Sequence, residues 1–216
     1  MNHPPAGRIT LLVLLPMIDP KTPPSKLEIA DLKPFTGLPL EQIFVVTGER
    51  QASLALEELL QAGAVGFDTE SKPTFFKGQK SEGPHVLQFA TTEKAFIFQS
   101  HVTASHPAII ELLNSEKLTK IGFGLRGDLQ QISERFALRP AAIVDLDRTF
   151  KQLGYRNAVG AKSAIALLFY RKLQKSKSVT TSNWAASRLS DVQLIYAAND
   201  AYAAIKVFHA LNEGKG

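Results

Sequence analysis

The order of strand-like and helix-like stretches is the feature that most restricts how this chain can fold. After a first strand and helix, three strand-like runs follow one another, and from there helices and strands alternate. This order predicts an α/β domain with helices flanking a mixed central β-sheet. The predicted strands are 42–46, 64–69, 85–91, 95–99, 119–123 and 143–146, and the helices are one ending near Gly63, 107–114, 128–136, 161–170 and a long last helix.

Two helix starts carry recognisable capping residues. Ser190 precedes the last helix and Gln193 follows three residues later, which is the spacing of a capping box. For the helix after 42–46, Thr47 is the expected N-cap, with Glu49 in the first turn. Gly63 then marks where that helix ends.

Proline usage divides the chain into two parts. Eight of the twelve prolines fall before residue 40, so residues 1–40 are predicted to be a proline-rich N-terminal extension. Residues 41–213 then form the folded domain. An apolar run at 9–15 superficially resembles a signal peptide, but Pro16 interrupts it and no clean cleavage site follows. No segment reaches the roughly 18 apolar residues of a membrane-spanning helix, so no membrane partner is expected.

The chain contains no cysteine. Disulfides, zinc–thiolate sites and thiol nucleophiles are therefore excluded. A chain without cysteine also suits a reducing compartment, and we expect this protein to be cytoplasmic.

Two carboxylates stand two residues apart in a strand-like, mostly apolar run. Asp68 and Glu70 follow Phe67 directly, and side chains at i and i+2 of a strand point to the same face. They could therefore converge on one cation. A strand end that carries two unrelated acids would look the same in the sequence.

A third carboxylate occupies an unfavourable place in the last helix. Asp200 lies among alanines, although aspartate is a poor residue for a helix interior. Tyr196 precedes it by four residues and so shares its face of the helix. A phenol and a carboxylate on one face could bind a metal and orient a water, but the polar edge of an amphipathic helix offers the same residues.

The glycine-rich segment at 122–127 has two interpretations. Its Gly-x-Gly-x-x-Gly pattern follows a strand and matches a dinucleotide-binding turn, with Asp145 and Asp147 near the expected offset. However, Asp128 directly follows the third glycine and would repel a pyrophosphate at that helix start. An acid there suits a metal better, with the glycines allowing close backbone packing.

Positive charge is concentrated in one stretch. Between Arg148 and Ser190 there are nine Lys or Arg residues and no acid, so the rest of the chain carries −4 of the formal net charge of +5. Lys175 and Lys177 lie there, close to Trp184, which is the only tryptophan. A basic patch beside hydroxyls and an aromatic side chain would attract a phosphate backbone, but a solvated loop has the same composition.

Taken together, the three acidic segments resemble one known family over residues 42–212. The first motif is Phe-Asp-Thr-Glu at 67–70, the second is Gly-Phe-Gly-Leu at 122–125 with Gly127 and Asp128, and the third is Tyr-Ala-Ala-Asn-Asp-Ala-Tyr at 196–202. These motifs resemble the DEDDy class of 3′–5′ exonucleases, which includes RNase D and the exonuclease domain of the Werner syndrome helicase. The resemblance implies a ribonuclease-H-like (DnaQ-like) fold.

The resemblance also implies roles for individual residues. Asp68, Glu70, Asp128 and Asp200 would bind two divalent ions, Mg²⁺ or Mn²⁺, with Asp128 in a supporting position. Tyr196 would orient the attacking water, and the product would be a nucleoside 5′-monophosphate released from a 3′ end. The nucleic-acid partner would be gripped by Lys175, Lys177 and Trp184, and no organic cofactor is expected. Trp184 could stack on a base, but burial in the core is the more common position for a large aromatic side chain.

Two other functions stay open at this stage. The chain could be a non-catalytic nucleic-acid-binding module on the same fold, although intact motif residues argue against that. It could also bind a nucleotide cofactor through the glycine pattern. DNA or RNA preference and oligomeric state are not readable from these residues.

Overall fold

The computed structural model describes residues 22–213, apart from Phe75, Lys77 and Gln79. The apolar run at 9–15 and its interpretation as a signal peptide lie outside the described residues. So does the first half of the predicted N-terminal extension, and the domain boundary at residue 40 therefore stays a prediction. Within the described residues, no helix is long and apolar enough to span a membrane.

A six-stranded mixed sheet forms the centre of the protein, as predicted. The strands are β2 (Ile43–Val46), β3 (Ala64–Glu70), β4 (Val86–Ala90), β5 (Ala95–Gln99), β6 (Thr119–Gly122) and β7 (Ile143–Asp145), while β1 (Lys33–Pro34) and β8 (Arg171–Lys172) form a separate pair. The strand order in the sheet is β2-β5-β4-β3-β6-β7. The β4 strand pairs antiparallel with β3 and with β5, whereas β2–β5, β3–β6 and β6–β7 are parallel.

Helices cover both faces of the sheet because alternate strand residues are apolar on both sides. The helices are α1 (Lys26–Ala30), α2 (Glu49–Ala62), α3 (His106–Asn114), α4 (Arg126–Phe136), α5 (Leu146–Gln152), α6 (Ala161–Phe169), α7 (Lys177–Thr180) and α8 (Asp191–Glu213). On one face of the sheet, Val65 and Phe67 of β3 pack with α2, α3 and α4. On the other face, β4 and β5 pack against α8, and α6 joins that layer.

Local differences from the predicted elements lie at the helix starts. Gly48, not Thr47, is the N-cap of α2, and its backbone is extended. The prediction of a Thr47 cap was wrong because Gln51 reaches back and accepts from both the Thr47 N–H, at 2.7 Å, and the Thr47 hydroxyl. The α4 helix begins two residues before the predicted start. The short helices α1, α5 and α7 and the β1–β8 pair were not predicted.

The α8 helix lies unusually close to β3, and this approach positions the site. A Cβ atom on Gly66 would lie 1.8 Å from the carbonyl oxygen of Ala201, so only glycine fits at that point of β3. Ala197, Ala198 and Ala201 are fully buried on the facing side of the helix. The alanine-rich face thus brings Asp200 down to the end of β3.

Residues near the N-terminal side of the domain also contact α8. The Leu38 N–H donates to Asn199 Oδ1 at 2.8 Å, and the Phe35 ring lies 6.0 Å from that of Tyr202. The β1–β8 pair joins the same segment to Arg171 and Lys172. Residues 33–38, inside the predicted extension, therefore pack onto the helix that carries Tyr196 and Asp200.

Candidate active site

Three carboxylates converge where β3 ends beneath α8. Asp68, Glu70 and Asp200 each offer an oxygen, and the three oxygens lie within 4.8 Å of one another. Asp68 and Glu70 share a face of β3 because they are two residues apart. The Asp200 side chain is only 5% exposed, so the cluster lies partly beneath the helix, open on one side.

Asp128 approaches the same strand end from α4 but lies outside that group of three. Its Oδ1 accepts a hydrogen bond from the Thr69 hydroxyl at 2.5 Å. Thr69 lies between the two β3 acids in the chain, so its side chain points to the opposite face of the strand. The fourth predicted acid is therefore tied to the cluster through its neighbour.

The glycine-rich turn before α4 is held by Asp145. Its Oδ1 accepts from the Gly124 N–H at 2.9 Å, and its Oδ2 accepts from the Leu125 N–H at 3.2 Å. Gly124 has φ +63°, in the left-handed region that favours glycine. Because a protein carboxylate already occupies these amides, the geometry contradicts a dinucleotide-phosphate cradle and supports a turn that positions Asp128.

Lys175 supplies the positive charge inside the cluster. Its Nζ lies 2.7 Å from Asp200 Oδ2, and the side chain is 26% exposed. The same Nζ lies 5.8 Å from the centroid of the Tyr196 ring. This lysine, predicted to bind substrate, thus lies among the predicted metal ligands.

The surroundings of these carboxylates disfavour their charged form. Burial raises the pKa of Asp68 well above its usual value, and the nearby Asp200 and Asp128 raise it further. Burial together with the Asp200 charge raises the pKa of Glu70 to about 8. The pKa values of Asp128 and Asp200 are also raised, mainly by burial. With the Lys175 ammonium paired to Asp200, the four acids would carry an excess of negative charge if all of them were ionised.

The donor set fits hard divalent cations. Carboxylate oxygens are the ligands that Mg²⁺ and Mn²⁺ prefer, and Asp68, Glu70 and Asp200 are close enough to share one ion. Bound cations would also offset the mutual repulsion that raises the pKa values. These residues could therefore hold a metal, with Asp128 at the edge of the site.

Tyr196 borders the cluster one helical turn before Asp200. Its hydroxyl lies 2.8 Å from Thr180 Oγ1. Burial and the Asp200 charge raise the pKa of the phenol above its usual value, so it is neutral at pH 7. A neutral phenol at the mouth of the site can donate one hydrogen bond and accept another.

The basic segment behaves differently from the prediction at one position. Trp184 is fully buried, with its ring 5.9 Å from that of Tyr196 and its Nε1 donating to the Thr180 carbonyl. Of the two positions considered for Trp184, the structure therefore shows the buried one, and it contradicts the base-stacking contact because no ring face reaches solvent. Lys177 is exposed at the start of α7, and its contact with nucleic acid stays a prediction.

Two supporting residues were missed by sequence reasoning. Thr69 reads as a strand residue between two acids, and its bond to Asp128 spans 59 positions in the chain. Asp145 was considered only as a ribose-binding acid, whereas it holds the turn before Asp128. Neither role leaves a local pattern, since each depends on a residue that is distant in sequence.

The sheet and its helix layers define a ribonuclease-H-like fold, and the buried carboxylates lie at one end of its central strand. The EXO domain of Aedes aegypti Nibbler has this fold, with a TM-score of 0.70 at 22% identity over 82% of this chain and 89% of that domain. A family model described as 3′–5′ exonuclease matches residues 43–214, and the chain belongs to this family.

Two of the curated relatives are nucleases by name. The bifunctional 3′–5′ exonuclease/ATP-dependent helicase WRN of Mus musculus is 26% identical over 155 residues, which are 71% of this chain and 11% of the relative. Ribonuclease D of Haemophilus influenzae is 29% identical over 161 residues, which are 71% of this chain and 37% of the relative. The chain therefore spans only a minor part of the length of each.

Proposed function

We propose that this protein is a metal-dependent 3′–5′ exonuclease that removes nucleoside 5′-monophosphates from the 3′ end of a nucleic acid. One observation carries the proposal: Asp68, Glu70 and Asp200 converge within 4.8 Å beside Tyr196. Family membership and the 3′–5′ exonuclease in the name of the WRN relative support the direction of cleavage. The cytoplasm remains the expected compartment.

The carboxylates would act as ligands of two cations, Mg²⁺ or Mn²⁺. Such ions, when bound, lower the pKa of the attacking water and stabilise the leaving oxygen. Asp68, Glu70 and Asp200 would hold the first ion, and Asp68 together with Asp128 would hold the second. The Thr69 hydroxyl would keep Asp128 turned toward the strand end.

Tyr196 and Lys175 would act on the substrate side of the site. The neutral phenol would orient the attacking water by hydrogen bonding, without giving up its own proton. The Lys175 ammonium, which pairs with Asp200 here, would pair with a phosphate oxygen once cations neutralise that carboxylate. Attack on the terminal phosphorus would then release the 3′-terminal residue with its 5′-phosphate.

A panel of labelled oligonucleotides tests the proposal. Single-stranded, overhanging and duplex DNA and RNA, labelled at either end, are incubated with Mg²⁺, Mn²⁺ or EDTA, and products are identified by chromatography. We expect stepwise shortening from the 3′ end, with mononucleotide products and no cleavage in EDTA. The polymer and end structure that are cut fastest identify the substrate class.

Matched variants assign the activity to the cluster. Asp68→Ala and Asp200→Ala should abolish shortening, whereas Asp191→Ala, an exposed acid in the first turn of the same helix, should leave it unchanged. Wild-type protein that binds oligonucleotides but never shortens them would instead establish the non-catalytic binding module.

A further inference from the structure

Gln88 lies directly opposite Asp68 in the sheet. In the antiparallel β3–β4 ladder the two residues are paired in register. Side chains of such a pair lie on the same face, with Cβ atoms about 4.5–5.5 Å apart. Gln88 therefore projects into the layer between the sheet and α8, beside the carboxylate that is placed to serve both cations.

The Gln88 amide is buried without a partner. The residue is fully buried, and among the described residues neither its Oε1 nor its Nε2 has a hydrogen-bond partner. A buried amide that lacks hydrogen bonds is costly. Gln99 provides the contrast on the neighbouring strand, since its Nε2 donates to the Ala186 carbonyl at 2.9 Å.

The side chains around Gln88 indicate which group its amide can bind. Val86 and Ala90, on the same face of β4, pack in an apolar cluster with Ala197 and Ala201 of α8. Among the described residues, that surface provides no hydrogen-bond partner for the amide. Across the ladder, however, one oxygen of the Asp68 carboxylate accepts a hydrogen bond from the N–H of the next residue, Thr69. The second oxygen of that carboxylate can still accept a hydrogen bond.

We propose that Gln88 is the positioning residue for Asp68, its amide N–H linked to the Asp68 carboxylate through one buried water. A carboxylate that serves two cations must keep both oxygens aimed at them, and a hydrogen bond from the adjacent strand fixes its rotamer. This inference rests on the proposed function for its catalytic consequence, but not for its effect on metal binding.

The test replaces the amide by an apolar side chain of similar size. Gln88→Met removes the buried polar group, so the melting temperature of the metal-free protein should stay the same or rise. Mn²⁺ affinity, measured by calorimetry without substrate, should nevertheless fall about 10–100-fold, and kcat should fall with little change in KM. A purely structural glutamine would not combine these results.

Gln99→Met is the matched control. It removes an amide that has a partner, so it should lower the melting temperature while leaving Mn²⁺ affinity and kcat unchanged. Wild-type Mn²⁺ affinity in Gln88→Met would overturn the inference. If that variant does not fold, Gln88→Asn keeps the amide but shortens its reach, and wild-type affinity there would overturn it equally.

The two proposals fail separately. A wild-type protein with no nuclease activity on any oligonucleotide would end the proposed function. The calorimetric comparison of Gln88→Met with the wild type would still decide whether Gln88 positions Asp68 for a cation.

Discussion

The Thr69 hydroxyl donates a hydrogen bond to Asp128 and thereby joins the strand that carries two of the acids to the helix that carries the fourth. The group of three carboxylates is assembled by β3 and α8 alone. The Thr69 hydroxyl therefore positions Asp128 relative to these three carboxylates.

Thr69→Val should reduce activity more than stability. The methyl that replaces the hydroxyl keeps the shape of the strand residue but leaves Asp128 without its donor. We expect the melting temperature to fall by only a few degrees, corresponding to about 1 kcal/mol, and kcat to fall about 10-fold or more. Thr69→Ser, which keeps the hydroxyl, is the control and should retain most of the activity.

Lys175→Met should separate stability from metal binding. Removing the ammonium leaves Asp200 buried without its cation, so the metal-free protein should lose about 2 kcal/mol, below the range for a fully buried pair because Lys175 is partly exposed. Affinity for Mn²⁺ should rise, since the ion no longer competes with the lysine. Denaturant titration and calorimetry measure the two effects.

The exposed Lys177→Met serves as the control for Lys175→Met. It should leave both the unfolding free energy and the Mn²⁺ affinity unchanged. If Lys175→Met binds Mn²⁺ more weakly than the wild type, Lys175 does not compete with the metal and the interpretation is wrong.

The metal-free protein should lose stability as the pH rises toward 8. The pKa of Glu70 is raised from its ordinary value of 4.5 to about 8, so the folded state binds a proton that the unfolded state has released. The contribution is fully present below pH 4.5 and is lost as the pH approaches the folded-state value. We expect the melting temperature to fall roughly 7–14 °C between pH 5 and pH 8.

Saturating Mn²⁺ should flatten this pH dependence, because the ion takes the place of the proton. Glu70→Gln should remove the part of the dependence that Glu70 contributes, since the amide does not titrate, and leave the part due to the raised pKa values of the three aspartates. Differential scanning calorimetry in EDTA gives the measurement, and a metal-free melting temperature that rises from pH 5 to pH 8 would contradict the raised pKa.

Tyr196→Phe should reduce turnover far more than metal affinity. The hydroxyl contacts Thr180, and no metal ligand is among its hydrogen-bond partners in the described residues, so its loss should leave the carboxylates in place. We expect kcat to fall about 100-fold, with Mn²⁺ affinity within a factor of two. Equal losses in both measurements would show that the phenol acts on the metal site itself.

Gly66→Ala should separate α8 from β3. The new Cβ would lie 1.8 Å from the Ala201 carbonyl oxygen, and the helix must shift to relieve the clash. We expect a loss of about 3 kcal/mol or more together with weaker Mn²⁺ binding, because Asp200 moves with the helix. Gly127→Ala, where a Cβ meets nothing within 4 Å, should stabilise the protein by about 0.5–1 kcal/mol.

Strand and helix periodicity accounts for much of the fold and half of the site. Asp68 and Glu70 were placed on one face by their spacing, and Tyr196 and Asp200 by theirs. The Ser190–Gln193 capping box at the start of α8 was likewise readable from the chain, and the structure confirms it. The class of fold followed from the order of the elements.

Other features depended on contacts between residues far apart in the chain. The burial of Trp184, the grip of Asp145 on the glycine turn and the pairing of Lys175 with Asp200 each needed the packed domain. The prediction that Thr47 caps α2 failed because of a residue close in the chain, since the Thr47 hydroxyl donates to Gln51 instead.

The amino-acid sequence by itself determined which residues share a face, because backbone geometry repeats every two residues in a strand and about every 3.6 in a helix. Only the tertiary structure decided which faces meet, since α8 can reach β3 only where Gly66 and the alanines leave room. The meeting of those two surfaces brings the charges of Asp68 and Asp200 together.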